Sequence, residues 1–177
     1  MGKNKPTDKA VSHIREGAMV PSRDIENISL FEGLTEEELM IVASAMTGDT
    51  FPEGHVVYRE NEVGCACIYI IRKGKVDVIK TSIDGDPMTL TVLRESNFFG
   101  EFSFFDSKPH SASTIVAEDG TVVLSLQRPD FDRVLESYPH IGNKVLINII
   151  HEISAVVRKM NASHVDMAGY MFGRTKR

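Results

Sequence analysis

The chain has 177 residues, of which 42% are hydrophobic and 25% are charged, and its formal net charge is −5 at pH 7. These proportions are ordinary for a soluble globular protein, and the length suits one domain with additional segments. No apolar run approaches the roughly 20 residues that span a bilayer, and residues 1–20 lack the apolar core of a signal peptide. The sequence therefore predicts neither a membrane-spanning nor a secreted protein.

The two ends of the chain are basic, although the whole is acidic. Residues 1–23 hold five Lys or Arg against two Asp or Glu, and residues 158–177 hold five against one. The acidic middle disfavours a nucleic-acid-binding surface. We predict a flexible basic arm over residues 1–23, a domain over residues 24–166 and a basic tail over residues 167–177. The basic ends are either solvated or in contact with an acidic partner or a membrane surface.

The two cysteines, Cys65 and Cys67, are two positions apart in an apolar stretch. On a strand they would lie on the same face, in positions that do not suit an intrachain disulfide. No second pair of cysteines or histidines has the spacing of a zinc site. We therefore predict reduced thiols, no bound metal and a cytoplasmic protein.

A helix is predicted to begin after Thr35. Thr35 and Glu38 have the spacing of a capping box, and consecutive glutamates suit the positive end of the helix dipole. A shorter helical turn is predicted before it, within residues 25–34. The apolar residues of the helix recur at Leu39, Val42, Ala43 and Met46.

Residues 50–127 have the pattern of an all-β region. Short β-type runs alternate with breaks rich in Gly, Pro and Asp at intervals of roughly ten residues, which favours a sandwich or barrel. Gly85, between two such runs, predicts a hairpin because glycine adopts positive φ without strain. The predicted strands are His55–Arg59, Cys67–Arg72, Lys75–Thr81, Met88–Leu93, Ser111–Ala117 and Thr121–Gln127.

Helical spacing returns after Gln127. Pro129 suits the first turn of a helix, and the Tyr138-Pro139 pair interrupts the pattern. A longer helix is predicted from Ile141 to about Val165. It carries an apolar seam with a spacing of three or four residues, which comprises Leu146, Ile149, Ile153, Val156 and Met160.

This seam suits a coiled-coil partner, so we predict a homodimer. Val145, Ile150 and Val157 lie off the seam and are expected to cover the strands. An amphipathic helix packed only on its own domain is the simpler alternative.

The most informative segment is residues 98–115, in which Gly100-Glu101 is followed by a polar loop and then by small hydroxyl residues. The segment resembles the phosphate-binding cassette of the cyclic-nucleotide-binding domain family, which includes catabolite-activator proteins and the regulatory subunit of protein kinase A. Residues 51–60 and 68–78 resemble the opening strand and the hairpin of the same family. The similarity extends over residues 28–160.

The resemblance implies a mainly β fold: a β-roll, or jelly-roll-like eight-stranded barrel, with short N-terminal helices and C-terminal B and long C helices. It also implies that cAMP or cGMP lies between the roll and the C helix. Glu101 would accept a hydrogen bond from the ribose 2′-OH, and the N–H groups of Ser111 and Ala112 would contact the phosphate. The implied pocket comprises Phe99, Gly100, Glu101, Phe102, Ser103, His110, Ser111, Ala112 and Ser113.

Some of these residues have a structural alternative. Glu101 would also stabilise a short helix over residues 102–105 as a first-turn carboxylate. The phenylalanines between residues 98 and 105 are expected to belong to the core rather than to a stacking platform.

His110 departs from the family pattern, which has an arginine at this position. An arginine would form bidentate, charge-assisted hydrogen bonds to a phosphate, whereas an imidazole is largely neutral near pH 7. Lys108 is the candidate for an auxiliary phosphate contact. We expect weak binding of cyclic nucleotides, and three outcomes remain open: weak cyclic-nucleotide binding, an uncharged ligand such as a nucleoside, and no small ligand.

No enzymatic motif stands beside the cassette: the sequence has no nucleophile elbow, no P-loop and no H-E-x-x-H. About 12 residues follow Val165, which is too short for a DNA-reading module, so we expect no DNA binding. The sequence predicts a non-catalytic regulatory module that signals to a partner protein through its C-terminal helices. A ligand-independent dimeric adaptor is the alternative.

Overall fold

The computed structural model describes the backbone of residues 18–172 and the side chains of residues 19–163. The described residues form two antiparallel sheets, with strand orders β1-β2-β9-β4-β7 and β3-β8-β5-β6. The strands are β1 (Ala18–Met19), β2 (Met46–Phe51), β3 (Val56–Tyr58), β4 (Cys67–Lys73), β5 (Lys75–Thr81), β6 (Pro87–Arg94), β7 (Phe98–Phe99), β8 (Ser113–Val116) and β9 (Thr121–Gln127). The helices are α1 (Glu36–Ser44), α2 (Glu101–Asp106), α3 (Arg128–Ser137) and α4 (Pro139–Phe172), and two 3-10 turns, Ser22–Asp24 and Ser29–Phe31, precede α1.

The predicted mainly β jelly-roll fold with flanking helices is confirmed. Apart from the two-residue β1, the roll has eight strands, which are arranged in two sheets rather than one closed barrel. Strands β5 and β9 have the predicted bounds. Strand β8 begins at Ser113 instead of Ser111, so that Ser111 and Ala112 belong to the preceding loop.

The helical prediction for Met46 was wrong. Helix α1 ends at Ser44, and Met46 is the first residue of β2. Strand β2 pairs with β9 from Met46↔Leu126 to Phe51↔Thr121, and this long-range pairing overrides the weak β propensity of its Thr, Gly and Asp residues. The short strands β1 and β7 were not predicted either.

The capping box at the start of α1 is confirmed. The Glu38 N–H donates to Oγ1 of Thr35 at 3.3 Å, and the Thr35 N–H donates to Oε2 of Glu38 at 2.8 Å. The same Glu38 carboxylate pairs with Nζ of Lys144 at 2.8 Å. The cap of α1 is thereby joined to α4.

Among the residues whose side chains are described, helix α4 packs on the domain through its first half. Val145 and Ile149 are fully buried, and Leu146 and Ile153 pack against the same core. The predicted seam is therefore divided, because its first three residues serve the core of their own domain.

The second half of the seam is exposed. Val156 and Met160 are 56% and 54% exposed. Ile150 and Val157 are 59% and 48% exposed, so the prediction that they cover the strands was wrong. Val145 is the one residue of that predicted set that is buried.

The predicted arm and tail fall largely outside the described residues, which exclude 1–17 and 173–177. Residues 18–23 contact the domain: β1 pairs with β2, and Val20 is buried. Residues 167–172 continue α4 beyond its predicted end at Val165. Within residues 18–172, no helix has the length and apolar character needed to cross a membrane.

Candidate ligand-binding site

Gly100 sets the geometry at the start of α2. Its φ of +86° is in the left-handed region, and a β-carbon at this position would lie 2.6 Å from the carbonyl oxygen of Cys67. Only glycine allows this close approach without strain. The turn places Glu101 in the first turn of α2, next to β4.

Glu101 is half-buried, and burial raises the pKa of its carboxyl above the usual range. No ion pair among the described residues involves this carboxylate, so it has no fixed counter-charge. A carboxylate in this state can accept hydrogen bonds from the hydroxyl groups of a ligand. The geometry also agrees with the alternative role, since Glu101 is an acidic residue in the first turn of a helix.

His110 is buried beneath the cassette, with 4% of its surface exposed. Its Nδ1 lies 3.0 Å from Oγ of Ser103, and the Ser103 hydroxyl donates to the carbonyl oxygen of Gly100 at 3.1 Å. Because that hydroxyl has only one proton, it must accept from His110, which places the imidazole hydrogen on Nδ1. In the neutral ring, this assignment leaves Nε2 as the acceptor.

Two further contacts enclose the imidazole. The ring of Tyr58 stacks on it, with centroids 3.7 Å apart and an interplanar angle of 9°. A β-carbon on Gly64 would lie 2.8 Å from Nε2, so the backbone of residue 64 covers that edge. Burial lowers the pKa of His110, and the Glu62 carboxylate opposes that effect only in part. The imidazole is therefore a packed, uncharged group rather than a cation.

Backbone hydrogen bonds join the cassette to the loop after β3. The Asn61 N–H donates to the carbonyl oxygen of His110 at 2.8 Å, and the His110 N–H donates to that of Glu62 at 3.1 Å. The Glu60 N–H donates to Oγ of Ser113 at 2.9 Å. These bonds fix the backbone on both sides of Ser111, whose side chain is exposed.

Lys108, the predicted auxiliary phosphate contact, is exposed and pairs with a neighbouring carboxylate. Its side chain is 76% exposed, and Nζ lies 3.4 Å from Oδ2 of Asp106. Lys80 of β5 instead reaches the cassette, where its Nζ donates to the carbonyl oxygen of Ser111 at 2.9 Å. Lys80 was not predicted as a site residue, although its alternation with Val76 and Val78 on one strand indicated that these three residues share a face.

The phenylalanines of the cassette divide between core and surface. Phe99 and Phe104 are buried, as predicted, whereas Phe102 is 58% and Phe105 39% exposed. The core prediction was therefore wrong for these two residues. Phe99 stacks on Tyr69 with ring centroids 5.2 Å apart.

Phe104 connects α2 to α3. Its ring lies 5.6 Å from that of Phe131, and the Arg128 guanidinium lies 5.5 Å from its centroid. Arg128 also donates from Nη1 to the carbonyl oxygen of Phe104 at 3.2 Å. A displacement of α2 would therefore change the contacts of α3 directly.

The elements around the cassette also match those of known proteins. The family described as Cyclic nucleotide-binding domain matches residues 49–138, which begin in β2 and end directly after α3. The chain belongs to the cyclic nucleotide-binding domain family. The match contains the whole cassette, and the family resemblance stated from the sequence is confirmed.

Several members of the family are similar to this domain. The cyclic AMP receptor protein of Thermus thermophilus is 31% identical over 116 residues, which cover 66% of this chain and 53% of the receptor. The crystal structure of a cyclic nucleotide-binding domain from Methylobacillus flagellatus superimposes with a TM-score of 0.70 at 25% identity, covering 89% of this chain and 83% of that one. This chain thus spans about half the length of the receptor protein.

A third relative is the regulatory subunit of a cAMP-independent protein kinase A from Trypanosoma brucei. It superimposes with a TM-score of 0.62 at 26% identity, covering 75% of this chain and 45% of that subunit. A variant of that subunit with three substitutions, one of which introduces an arginine, is described as bound to cAMP in its A site.

The predicted pocket residues lie in different parts of this cyclic nucleotide-binding domain. Gly100 and Glu101 lie at the start of α2, and Ser111, Ala112 and Ser113 lie at the start of β8 or directly before it. Ser103 and His110 form a buried pair, and Phe99 is buried in β7. Phe102 is exposed on α2. Among the residues whose side chains are described, no cluster of three or more His, Cys, Asp or Glu is placed to hold a metal ion.

Proposed function

We propose that this domain is a non-catalytic sensor of a nucleoside-type ligand, which binds at the cassette with its ribose hydroxyls on Glu101, and that it binds cAMP and cGMP only weakly. The observation that carries the proposal is the half-buried Glu101 carboxylate, which has no ion-pair partner within the described residues and follows directly on the left-handed Gly100. A carboxylate desolvated without a partner carries a free-energy cost that a ligand hydroxyl would relieve.

The state of His110 supports the weak binding of cyclic nucleotides. A phosphodiester offers only acceptor oxygens and a negative charge, and the buried neutral imidazole provides no counter-charge for it. The cAMP-independent relative and its arginine-containing, cAMP-bound variant are in line with this reasoning. A nucleoside has no phosphate and would lose nothing from the absence of the family arginine.

The contact between Phe104 and Phe131 supports a route from the ligand to the C-terminal helices. Helix α3 packs closely on α4, because a β-carbon on Gly142 would clash with the Leu135 side chain. A ligand that favours one position of α2 would thereby shift α3 and α4 between two arrangements and alter the surface that a partner protein meets.

The exposed half of α4 favours a second candidate, a ligand-independent dimeric adaptor. Val156, Val157 and Met160 expose about half of their surface on a helix whose described residues from 155 to 163 are all exposed. An isolated helical extension of this kind is marginal in water, and a second copy would stabilise it. The free thiols of Cys65 and Cys67 fit the cytoplasmic location that we propose for either function.

Isothermal titration with adenosine, guanosine, cAMP and cGMP tests the proposed function. We expect a nucleoside to bind more tightly than its cyclic nucleotide and Glu101→Gln to weaken that binding about tenfold or more. Glu37→Gln, which changes an exposed glutamate of α1, is the matched control. Binding of cAMP at nanomolar concentrations would contradict the proposal, and no binding of any of the four compounds would leave the adaptor function.

A further inference from the structure

We infer that Lys80 supplies the positive charge of this site, in place of the family arginine, and strengthens the binding of the anionic group of a cyclic nucleotide at the Ser111–Ala112 backbone. The inference rests on the proposed function, because it assigns a residue to the same site. It concerns the weak cyclic-nucleotide binding that remains there and the selection between a nucleoside and its phosphorylated form.

The register of the sheet places Lys80 beside the cassette. Strands β5 and β8 pair through Val78↔Thr114 and Ile79↔Ser113, so the next position of β5 lies beside Ala112. Alternate residues of a strand share a face, and the buried Val76 and half-buried Val78 precede Lys80 on that face. On β8, Thr114 is fully buried opposite Val78. Lys80 therefore extends the inner face of the sheet to its open end, next to the loop of Ser111.

The contacts of the ammonium leave it able to meet a ligand. Nζ donates to the Ser111 carbonyl oxygen at 2.9 Å and lies 3.5 Å from Oε1 of Glu60. An ammonium has three protons, so one donor remains. The Lys80 side chain is 48% exposed, which gives a ligand access to it.

The bond to Ser111 also brings the charge into the loop. The Ser111 carbonyl and the Ala112 N–H belong to one peptide group, so an ammonium on the carbonyl oxygen polarises that peptide and makes its N–H a stronger donor. The other two basic side chains of the cassette do not have this contact, because His110 is buried on Ser103 and Lys108 pairs with Asp106. Among these three, Lys80 alone bonds to the predicted phosphate-binding backbone.

Glu60 limits the effect of Lys80. Its carboxylate is held in place by the Thr81 N–H at 3.0 Å, and it partly neutralises the ammonium. Substitution of Glu60 by glutamine would keep an acceptor for that N–H and remove the opposing charge. Lys80 and Glu60 should therefore affect cyclic-nucleotide affinity in opposite directions.

Two-dimensional ¹H–¹⁵N NMR titration with cAMP and adenosine tests the inference, because it follows even millimolar affinities and reports folding from the same spectra. We expect Lys80→Met to weaken cAMP binding about tenfold and to change adenosine binding less than about twofold. Lys80→Arg should keep cAMP binding within about threefold, and Glu60→Gln should strengthen it. Lys108→Met is the matched control and should bind both compounds as the native chain does.

Equal cAMP affinity of the native chain and of folded Lys80→Met would overturn the inference. If the native chain binds adenosine in a Glu101-dependent way and does not bind cAMP, the inference fails and the proposed function stands. If the native chain binds neither compound, and guanosine and cGMP do not bind either, both fail. The chemical shift of the Ala112 amide gives a separate measure of the polarisation of this peptide by Lys80. The polarisation should disappear in Lys80→Met and persist in Lys80→Arg. An unchanged shift in Lys80→Met would show that Lys80 does not polarise the peptide.

Discussion

The imidazole of His110 stacks on the phenol ring of Tyr58, with ring centroids 3.7 Å apart and planes 9° apart. The contact encloses the histidine, of which 4% is exposed. Its hydrogen bond to Ser103 fixes the other edge of the ring. The loss of the arginine is therefore accompanied by a packed replacement, and not by a simple gap in the site.

We predict that His110→Arg strengthens cAMP binding at least about tenfold, since a cation would again face the phosphate. The backbone of Gly64 lies close to Nε2 and leaves little room for the longer arginine, so we expect the guanidinium to turn toward the cassette and the loss of the stacking to cost the free protein about 1 kcal/mol. Calorimetry measures the affinity, and urea unfolding measures the stability. His110→Gln removes the imidazole without adding a cation and should give no gain in affinity; a gain in that variant would refute the electrostatic reason.

Ser103→Ala should destabilise the domain by about 1–3 kcal/mol, because the buried His110 N–H would lose its acceptor. Urea denaturation at pH 7 gives the free energy of unfolding. Ser137→Ala, at the exposed end of α3, should change it by less than about 0.5 kcal/mol. Equal effects of the two substitutions would show that the Ser103–His110 bond contributes nothing.

Local signals predicted the elements whose determinants are close together in the sequence. The capping box of Thr35 and Glu38 spans one turn, and the hairpin at Gly85 depends on a single residue with a φ of +91°. Met46 has helical spacing to its neighbours, yet it lies in a strand because it pairs with Leu126. The spacing of residues close to Met46 in the sequence carries no information about Leu126, so it cannot predict this pairing.

In the candidate site, too, local sequence predicts some features, whereas others depend on residues that are distant in the sequence. The turn at Gly100 and the short helix after it were predicted from the sequence, although α2 spans Glu101–Asp106 rather than residues 102–105. The burial of His110 depends on Tyr58, and the charge beside Ser111 comes from Lys80, 31 residues away. Lys108 is nearer in sequence but pairs with its neighbour Asp106. Only the folded sheets determine which lysine reaches the loop.

Gly100→Ala should destabilise the domain by about 3 kcal/mol or more. It combines a left-handed φ with a β-carbon 2.6 Å from the Cys67 carbonyl oxygen. Gly85→Ala has a similar φ of +91° and open space around it, so it should cost only about 1–2 kcal/mol. The difference between the two free energies of unfolding gives the cost of the close approach between residue 100 and the Cys67 carbonyl oxygen. If the two variants were equally stable, that approach would not constrain residue 100.

The pKa of Glu101 predicts a pH-dependent effect of Glu101→Gln on stability. Burial raises the pKa of this carboxyl in the folded state, so the folded protein binds a proton more readily than the unfolded chain. The contribution of Glu101 to stability is therefore complete below the unfolded pKa near 4.5 and is lost as the pH rises through the folded pKa. At pH 7, Glu101→Gln should be more stable than the native chain while it binds ligand less well. Urea unfolding at pH 4 and pH 7 measures this difference, and a stability gain that is as large at pH 4 would exclude the carboxylate charge as its cause.

The exposed half of α4 predicts self-association. Val156 and Met160 lie four residues apart, and so fall on one side of the helix, where each exposes more than half of its surface. Glutamate at both positions would place like charges in a helix–helix seam, so Val156→Glu/Met160→Glu should be monomeric where the native chain is dimeric. Ala155→Glu adds a charge to a neighbouring exposed position and should leave the dimer intact. Sedimentation velocity at several concentrations distinguishes the monomer from the dimer. A native chain that sediments as a monomer at every concentration would refute dimerisation through this seam, because the apolar side chains of α4 would then remain in water without a second copy.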